Sequence, residues 1–281
     1  MSNGSKFRVA ALQLTSTGDV AANLEIVAEL THRASRAGAA LAVLPENFGY
    51  LGRRERDRVS VAEWLDAPRP GPIVGTVCNL ARKHALWIVA GGMPEKLPSD
   101  DPERASRTYN TCFVVSPTGE IAAHYRKIHL FDVDIAGHAR IRESESTKPG
   151  KEVVVVETPL ARLGLSICYD LRFPELYREL ARLEAQLLLV PAAFTAHTGE
   201  AHWHTLLRAR AIENQSFVLG AAQVGRHNEK RESWGRSEII APWGDTLVAL
   251  DDEIDVAIAD IDLDLITEFR RELPCHEHRV L

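Results

Sequence analysis

The sequence predicts an α/β fold of stacked layers, and three observations carry that prediction. The first third alternates apolar strand, helix, strand, helix, strand. Its strands are short, nearly continuous apolar runs, the pattern of strands covered on both faces. Strand–helix–strand units recur in the second half, with no linker rich in Gly, Pro or Ser between the halves. One domain over residues 1–281 is the simplest organisation, with the polar start, residues 1–6, read as a flexible tail.

Phe7–Leu14 is an apolar strand, and Val20–Ala37 repeats its apolar residues at helical spacing. Ala39–Leu44 is a second strand, stopped by Pro45. Gly71-Pro72 opens a helix reaching His84, and Leu86–Ala90 is a third strand. Tyr109–Val115 and Glu120–Arg126 flank the turn residues Ser116-Pro117-Thr118-Gly119 and predict a β-hairpin. Phe131–Lys151 has few apolar residues and reads as a long irregular segment. Val153–Glu157 and Arg162–Cys168 are strands, and Pro174–Arg182 is a helix with Pro at its first turn. Leu187–Val190 is a strand and Glu200–Gln215 a helix. Phe217–Ala222, Ser237–Ile240, Thr246–Leu250 and Val256–Ile261 are strands, and Leu263–Arg271 is a closing helix.

Bulk composition narrows the function classes. The chain is 45% hydrophobic and 26% charged, an ordinary globular balance. A net charge of −6 argues against nucleic-acid binding, which needs a basic face. No apolar run approaches the ~20 residues that cross a bilayer. The start carries no apolar signal core, and Cys78, Cys112, Cys168 and Cys275 form no C-x-x-C pair. Free thiols in a reducing compartment, the cytoplasm, are the expectation.

Three strands run directly into a reactive residue: Leu41–Leu44 into Pro45-Glu46, Ile121–Arg126 into Lys127, and Leu163–Ile167 into Cys168. In α/β sheets, sites form beyond the carboxyl ends of strands. A nucleophile on a strand-to-helix turn stands exposed, with backbone N–H groups near the place where an oxyanion develops. Singly, each residue has a bland reading: a solvated Glu, a surface Lys, an inert core Cys.

Together the segments resemble a known family. Pro45-Glu46-Asn47, Tyr125-Arg126-Lys127-Ile128-His129-Leu130-Phe131-Asp132 and Cys168-Tyr169-Asp170-Leu171-Arg172-Phe173-Pro174-Glu175 resemble the three signature segments of the nitrilase (carbon–nitrogen hydrolase) superfamily, in its order and spacing. The likeness runs from about Phe7 to about Leu265. It implies a four-layer α-β-β-α sandwich, at least a dimer, and a Glu46–Lys127–Cys168 triad. It further implies a second glutamate, Glu143 before Glu145, orienting Lys127.

The chemistry asks for these residue types. An amide carbon is a poor electrophile and calls for a thiolate. Moving a proton from a free Cys to a free Glu is uphill by ~4 pKa units, about 6 kcal/mol. A neighbouring ammonium, Lys127, would offset much of that cost. Lys127 and the Tyr169 N–H are the expected oxyanion donors, and no cofactor or metal has a role.

Within the superfamily, Gly199-Glu200-Ala201-His202-Trp203, Leu206–Glu213, Gly225–Arg231 and Pro242-Trp243-Gly244 most resemble the branch that cleaves deaminated glutathione. A carboxylate-bearing amide would need local cations, and Arg226, Lys230, Arg231 and Arg172 are candidates, with Phe194 as a pocket wall. An ω-amidase acting on 2-oxoglutaramate and a true nitrilase share the triad and stay open. Two other classes remain beside them: a zinc protein using His202, His204 and Cys275-His276-Glu277-His278, whose spacing fits zinc poorly, and a non-catalytic binding protein on the same fold.

Overall fold

The structure, a computed structural model, describes residues 6–135 and 139–280. The tail expected at the start lies outside them except for Lys6, which opens the first strand and pairs with Asp262. In chain order the first half contains β1 (Lys6–Gln13), α1 (Val20–Arg36), β2 (Leu41–Leu44), α2 (Pro72–His84), β3 (Trp87–Lys96), β4 (Thr108–Val115), β5 (Ile121–Arg126), β6 (Asp132–Ile135) and β7 (Ala139–Arg142). The second half contains β8 (Val155–Glu157), β9 (Arg162–Leu165), α3 (Pro174–Arg182), β10 (Leu187–Ala192), α4 (Ala196–Asn214), β11 (Phe217–Ala222), β12 (Val224–Asn228) and β13 (Arg231–Trp234). β14 (Glu238–Ile240), β15 (Thr246–Ala249), β16 (Asp255–Asp262) and α5 (Asp264–Glu272) complete it.

Two six-stranded sheets form the centre, in the orders β16-β1-β2-β3-β4-β5 and β15-β14-β11-β10-β9-β8. Each has a parallel middle, β1-β2-β3 and β9-β10-β11, extended by antiparallel neighbours. Strand alternation explains the layering. Val9, Ala11, Leu41 and Val43 face the second sheet and share one core with Leu187, Leu189, Phe217 and Leu219. Their neighbours Ala10, Leu12, Ala42 and Leu44 face the other way, into a second core with Val27 and Leu30 of α1 and Val74 and Val77 of α2. On the far side, α3 lies against β9 and α4 against β11. The result is the α-β-β-α sandwich that the resemblance implied.

Several sequence expectations need correction. Phe131–Lys151 is not irregular throughout: β6 and β7 pair as an antiparallel hairpin, and Glu143–Glu145 forms one 3-10 turn. The hairpin's strands, Asp132-Val133-Asp134-Ile135 and Ala139-Arg140-Ile141-Arg142, do alternate polar and apolar residues, but each is only four residues long and β6 is no more than half-buried, so the signal is weak. The basic segment from Arg226 to Arg231 is likewise a hairpin, β12–β13. α4 starts one turn earlier than expected, at Ala196. Gly199, a poor helix former, is required there: a Cβ would lie 2.2 Å from the Cβ of Trp234.

Candidate active site

The three reactive residues converge. Glu46 follows β2, Lys127 follows β5, and Cys168 follows β9 as the first residue of a 3-10 turn, Cys168–Arg172. Two of these strands belong to one sheet and the third to the other, so the site sits where the carboxyl ends of both sheets meet. Lys127 Nζ donates to Glu46 Oε1 at 3.0 Å and to Glu143 Oε2 at 2.8 Å. Asn110, on β4 beside β5, spans the same two carboxylates, donating to Glu46 Oε1 and to Glu143 Oε1 at 2.9 Å each. The Ala193 N–H, just past β10, donates to Glu46 Oε2 at 3.0 Å, and the charges of Glu46 and Lys127 both act on the Cys168 thiol. Arg58 adds a further cation, 3.7 Å from Glu143 Oε1.

Every charged member of this cluster is at least 94% buried, and the formal charges cancel: Glu46 and Glu143 against Lys127 and Arg58. That balance decides the protonation states. Burial works against the Lys127 ammonium, but Glu143 and Glu46 outweigh it and hold the pKa well above the ordinary lysine value. Burial likewise raises the Glu143 pKa, and Lys127 and Arg58 overcome it, bringing the carboxyl down to about 2. Cys168 goes the other way. Burial and the Glu46 charge push its thiol well above the usual range, and Lys127 offsets only part. The Lys127 charge is already matched by carboxylates, so the resting nucleophile is a thiol, whose proton must pass to Glu46 during attack.

The backbone at Cys168 is strained. Its φ is +48°, in the left-handed region that side chains disfavour. Asp170 holds it there. This fully buried carboxylate accepts from the Ile167 N–H at 2.9 Å, the Tyr125 hydroxyl at 2.7 Å and the His129 N–H at 3.0 Å. The His129 ring nitrogen Nδ1 meets the same carboxylate at 2.7 Å, and the ring stacks on Phe173 at 3.7 Å between centroids. Asp170 therefore ties the lysine-bearing segment to the cysteine turn.

A cavity of about 290 Å³ opens above Glu46, Lys127, Glu143 and Cys168. Its walls include Ile135 and Ile141 of the β6–β7 hairpin, and His227, Lys230, Arg231 and Ser233 of β12–β13. The predicted binding residues divide. Arg231 lines the cavity but is paired with Glu55. Lys230 lines it with no ion-pair partner among the described residues. Arg226 is exposed and is not a cavity residue, because neighbours on a strand point to opposite faces and His227 takes the inward position. Arg172 does not brace the turn through Asp170 or Glu175. It lies over the Phe194 ring at 4.9 Å and meets the His202 ring at 3.2 Å. Arg172, Phe194, Tyr169 and Cys168 line a smaller adjoining cavity.

Sequence reasoning missed Asn110, Arg58, Asp170 and His227. Asp170 stood within a signature segment, and Asn110 was a polar interruption in the apolar run after Tyr109; Arg58 gave no signal. Among the described residues, no group of three His, Cys, Asp or Glu side chains is placed to hold a metal, and no helix is long and apolar enough to cross a membrane.

The chain is similar to known proteins over nearly its whole length. The sequence matches the carbon–nitrogen hydrolase family over residues 8–271. It is 44% identical over 278 residues to the deaminated glutathione amidase of Dictyostelium discoideum, covering 98% of this chain and 94% of that protein. The crystal structure of the Caenorhabditis elegans NitFhit protein superposes with a TM-score of 0.89 at 40% identity, covering 99% of this chain and 66% of that longer one. An amidase from Nesterenkonia sp. AN1, in which the acetamide moiety of fluoroacetamide is covalently added at the active-site cysteine, superposes with a TM-score of 0.77 at 27% identity over 99% of this chain and 98% of that one.

Proposed function

This chain belongs to the carbon–nitrogen hydrolase family, and from that premise we propose that it cleaves the amide of deaminated glutathione, the α-keto analogue of glutathione, to 2-oxoglutarate and cysteinylglycine. The observation that supports the reaction class best is the convergence of Cys168, Glu46 and Lys127 at the base of one cavity. The relatives' activity supports the substrate.

The cluster's charge balance assigns the steps. Cys168 Sγ attacks the amide carbon as its proton passes to Glu46, and the carbonyl electron pair moves onto oxygen. Protonating Glu46 leaves Lys127, Arg58 and Glu143 with one net positive charge, at the moment the oxyanion forms. Lys127 and the Tyr169 N–H hold that oxyanion. The cost of the buried charge is thereby met only in the transition state, where it accelerates the reaction. The C–N bond breaks, Glu46 protonates the departing nitrogen, and a thioester remains on Cys168. Water, losing its proton to Glu46, then hydrolyses the thioester, and the sulfur recovers its proton from Glu46. Glu143 acts as a positioning residue for Lys127.

Lys230 is the cation the cavity offers to a substrate carboxylate, since Arg231 and Arg58 are already paired. Arg172, stacked on Phe194 at the adjoining cavity, is the second. The protein acts as a homo-oligomer, at least a dimer, in the cytoplasm, without metal or organic cofactor. The test is a product assay on deaminated glutathione, 2-oxoglutaramate and a simple nitrile. Cysteinylglycine release with kcat/KM far above the other two supports the assignment. Dominant ammonia release from 2-oxoglutaramate overturns the substrate and leaves the mechanism standing.

A further inference from the structure

The cavity wall contributed by β12–β13 contains a hydrogen-bond relay that the mechanism does not use. His227 is 8% exposed and held at both ring nitrogens. Nδ1 lies 2.8 Å from the Ser16 carbonyl oxygen, and Nε2 lies 2.8 Å from Ser233 Oγ. A carbonyl oxygen only accepts, so Nδ1 carries the proton. Burial, with Arg231 nearby, depresses the imidazole pKa to about 4, so at neutral pH Nε2 is a bare lone pair. The Ser233 hydroxyl must then spend its single proton on Nε2.

Ser16 is itself fixed. Its hydroxyl donates to the Phe48 carbonyl at 3.0 Å and accepts from Gln223 Nε2 at 2.9 Å, and the same Gln223 Nε2 donates to the Glu46 carbonyl at 3.0 Å. The relay is therefore anchored to the backbone of the catalytic glutamate. Ser233 also stands opposite Thr195, two residues beyond the Ala193 N–H that donates to Glu46 Oε2. With its proton committed to His227, Ser233 Oγ can offer only lone pairs to the cavity.

We infer that Ser233, fixed by His227, is a specificity-determining acceptor that takes a hydrogen bond from an N–H of the bound amide substrate and discriminates against analogues with oxygen at that position. The inference rests on the amidase reading above and deepens it. A site built to pair with a donor rejects a substrate lacking it, because an ester oxygen would face the Ser233 lone pairs without a proton between them.

The test is a cycle of kcat/KM values. Wild type and Ser233→Ala are assayed on deaminated glutathione and on two analogues in which each N–H is replaced in turn by oxygen. The prediction is that the preference for the parent over one of these analogues falls about tenfold in Ser233→Ala. The same factor for all three substrates overturns the inference, whatever the absolute rates. Ratios do not depend on how much of the variant is folded. If wild type hydrolyses none of the three, the amidase reading has failed instead. A second measurement is independent of turnover: ¹⁵N spectra of the imidazoles at neutral pH. A His227 ring protonated at Nδ1 alone supports the relay, and a proton on Nε2 overturns it.

Discussion

Cys112 and Cys168 are both buried thiols in the same hydrophobic core, and only one is placed to react. Cys112 lies mid-strand in β4 with the apolar surroundings of the inter-sheet core, and burial alone drives its thiol far above the ordinary range. Cys168 suffers the same desolvation, but a carboxylate and an ammonium stand beside it, its backbone is held at a strained turn, and a cavity opens above it. The lesson is that burial does not select the nucleophile. What selects it is a base near enough to take the proton during attack, and a buried positive charge, left once it does, that the developing oxyanion cancels.

Breaking the contrast at its centre has the largest effect. Cys168→Ala should lower kcat/KM by at least about 10⁴-fold while the thermal midpoint stays close to wild type. Lys127→Met leaves Glu46 and Glu143 facing each other without their shared cation. It should cost about 10³-fold in kcat and about 3–5 kcal/mol of stability by denaturant titration. Glu143→Gln keeps volume and a contact to Lys127, and should lower kcat about 30-fold.

The same variant sharpens the electrostatic side. The Glu143 pKa is depressed in the fold, from 4.5 to about 2, so its contribution to stability is present above pH 4.5 and is lost as pH falls toward 2. Denaturation midpoints across that window should fall less steeply for Glu143→Gln than for wild type. At the cavity wall, Lys230→Ala should raise KM for a carboxylate-bearing amide about tenfold, with kcat within about twofold. The smallest change is expected at the other thiol. Cys112→Ala should leave kcat/KM within about twofold and cost about 1 kcal/mol through lost packing.

The sequence was most legible where local pattern and function coincide. Apolar runs such as Leu41–Leu44 and Leu187–Ala192 are buried on both faces and identify themselves as strands, and Glu46 stands two residues beyond the first of them. Glu46, Lys127 and Cys168 were found by their motifs, and Glu143 by its place in the loop. What the sequence did not disclose depends on distance in space. Arg58 reaches Glu143 from a 3-10 turn far upstream, and Asn110 meets both carboxylates only because β4 pairs with β5. Lys127 lowers the cost of ionising Cys168, as expected, but burial and Glu46 outweigh it, because Glu143 and Glu46 already neutralise the ammonium.

The central claim concerns one covalent bond. Wild-type enzyme mixed with excess deaminated glutathione, quenched in acid during turnover and digested, should yield a Cys168-containing peptide heavier by the acyl part of the substrate, with no other peptide modified. Product release at the wild-type rate from Cys168→Ala, or an acyl group found on any other side chain, would contradict the account.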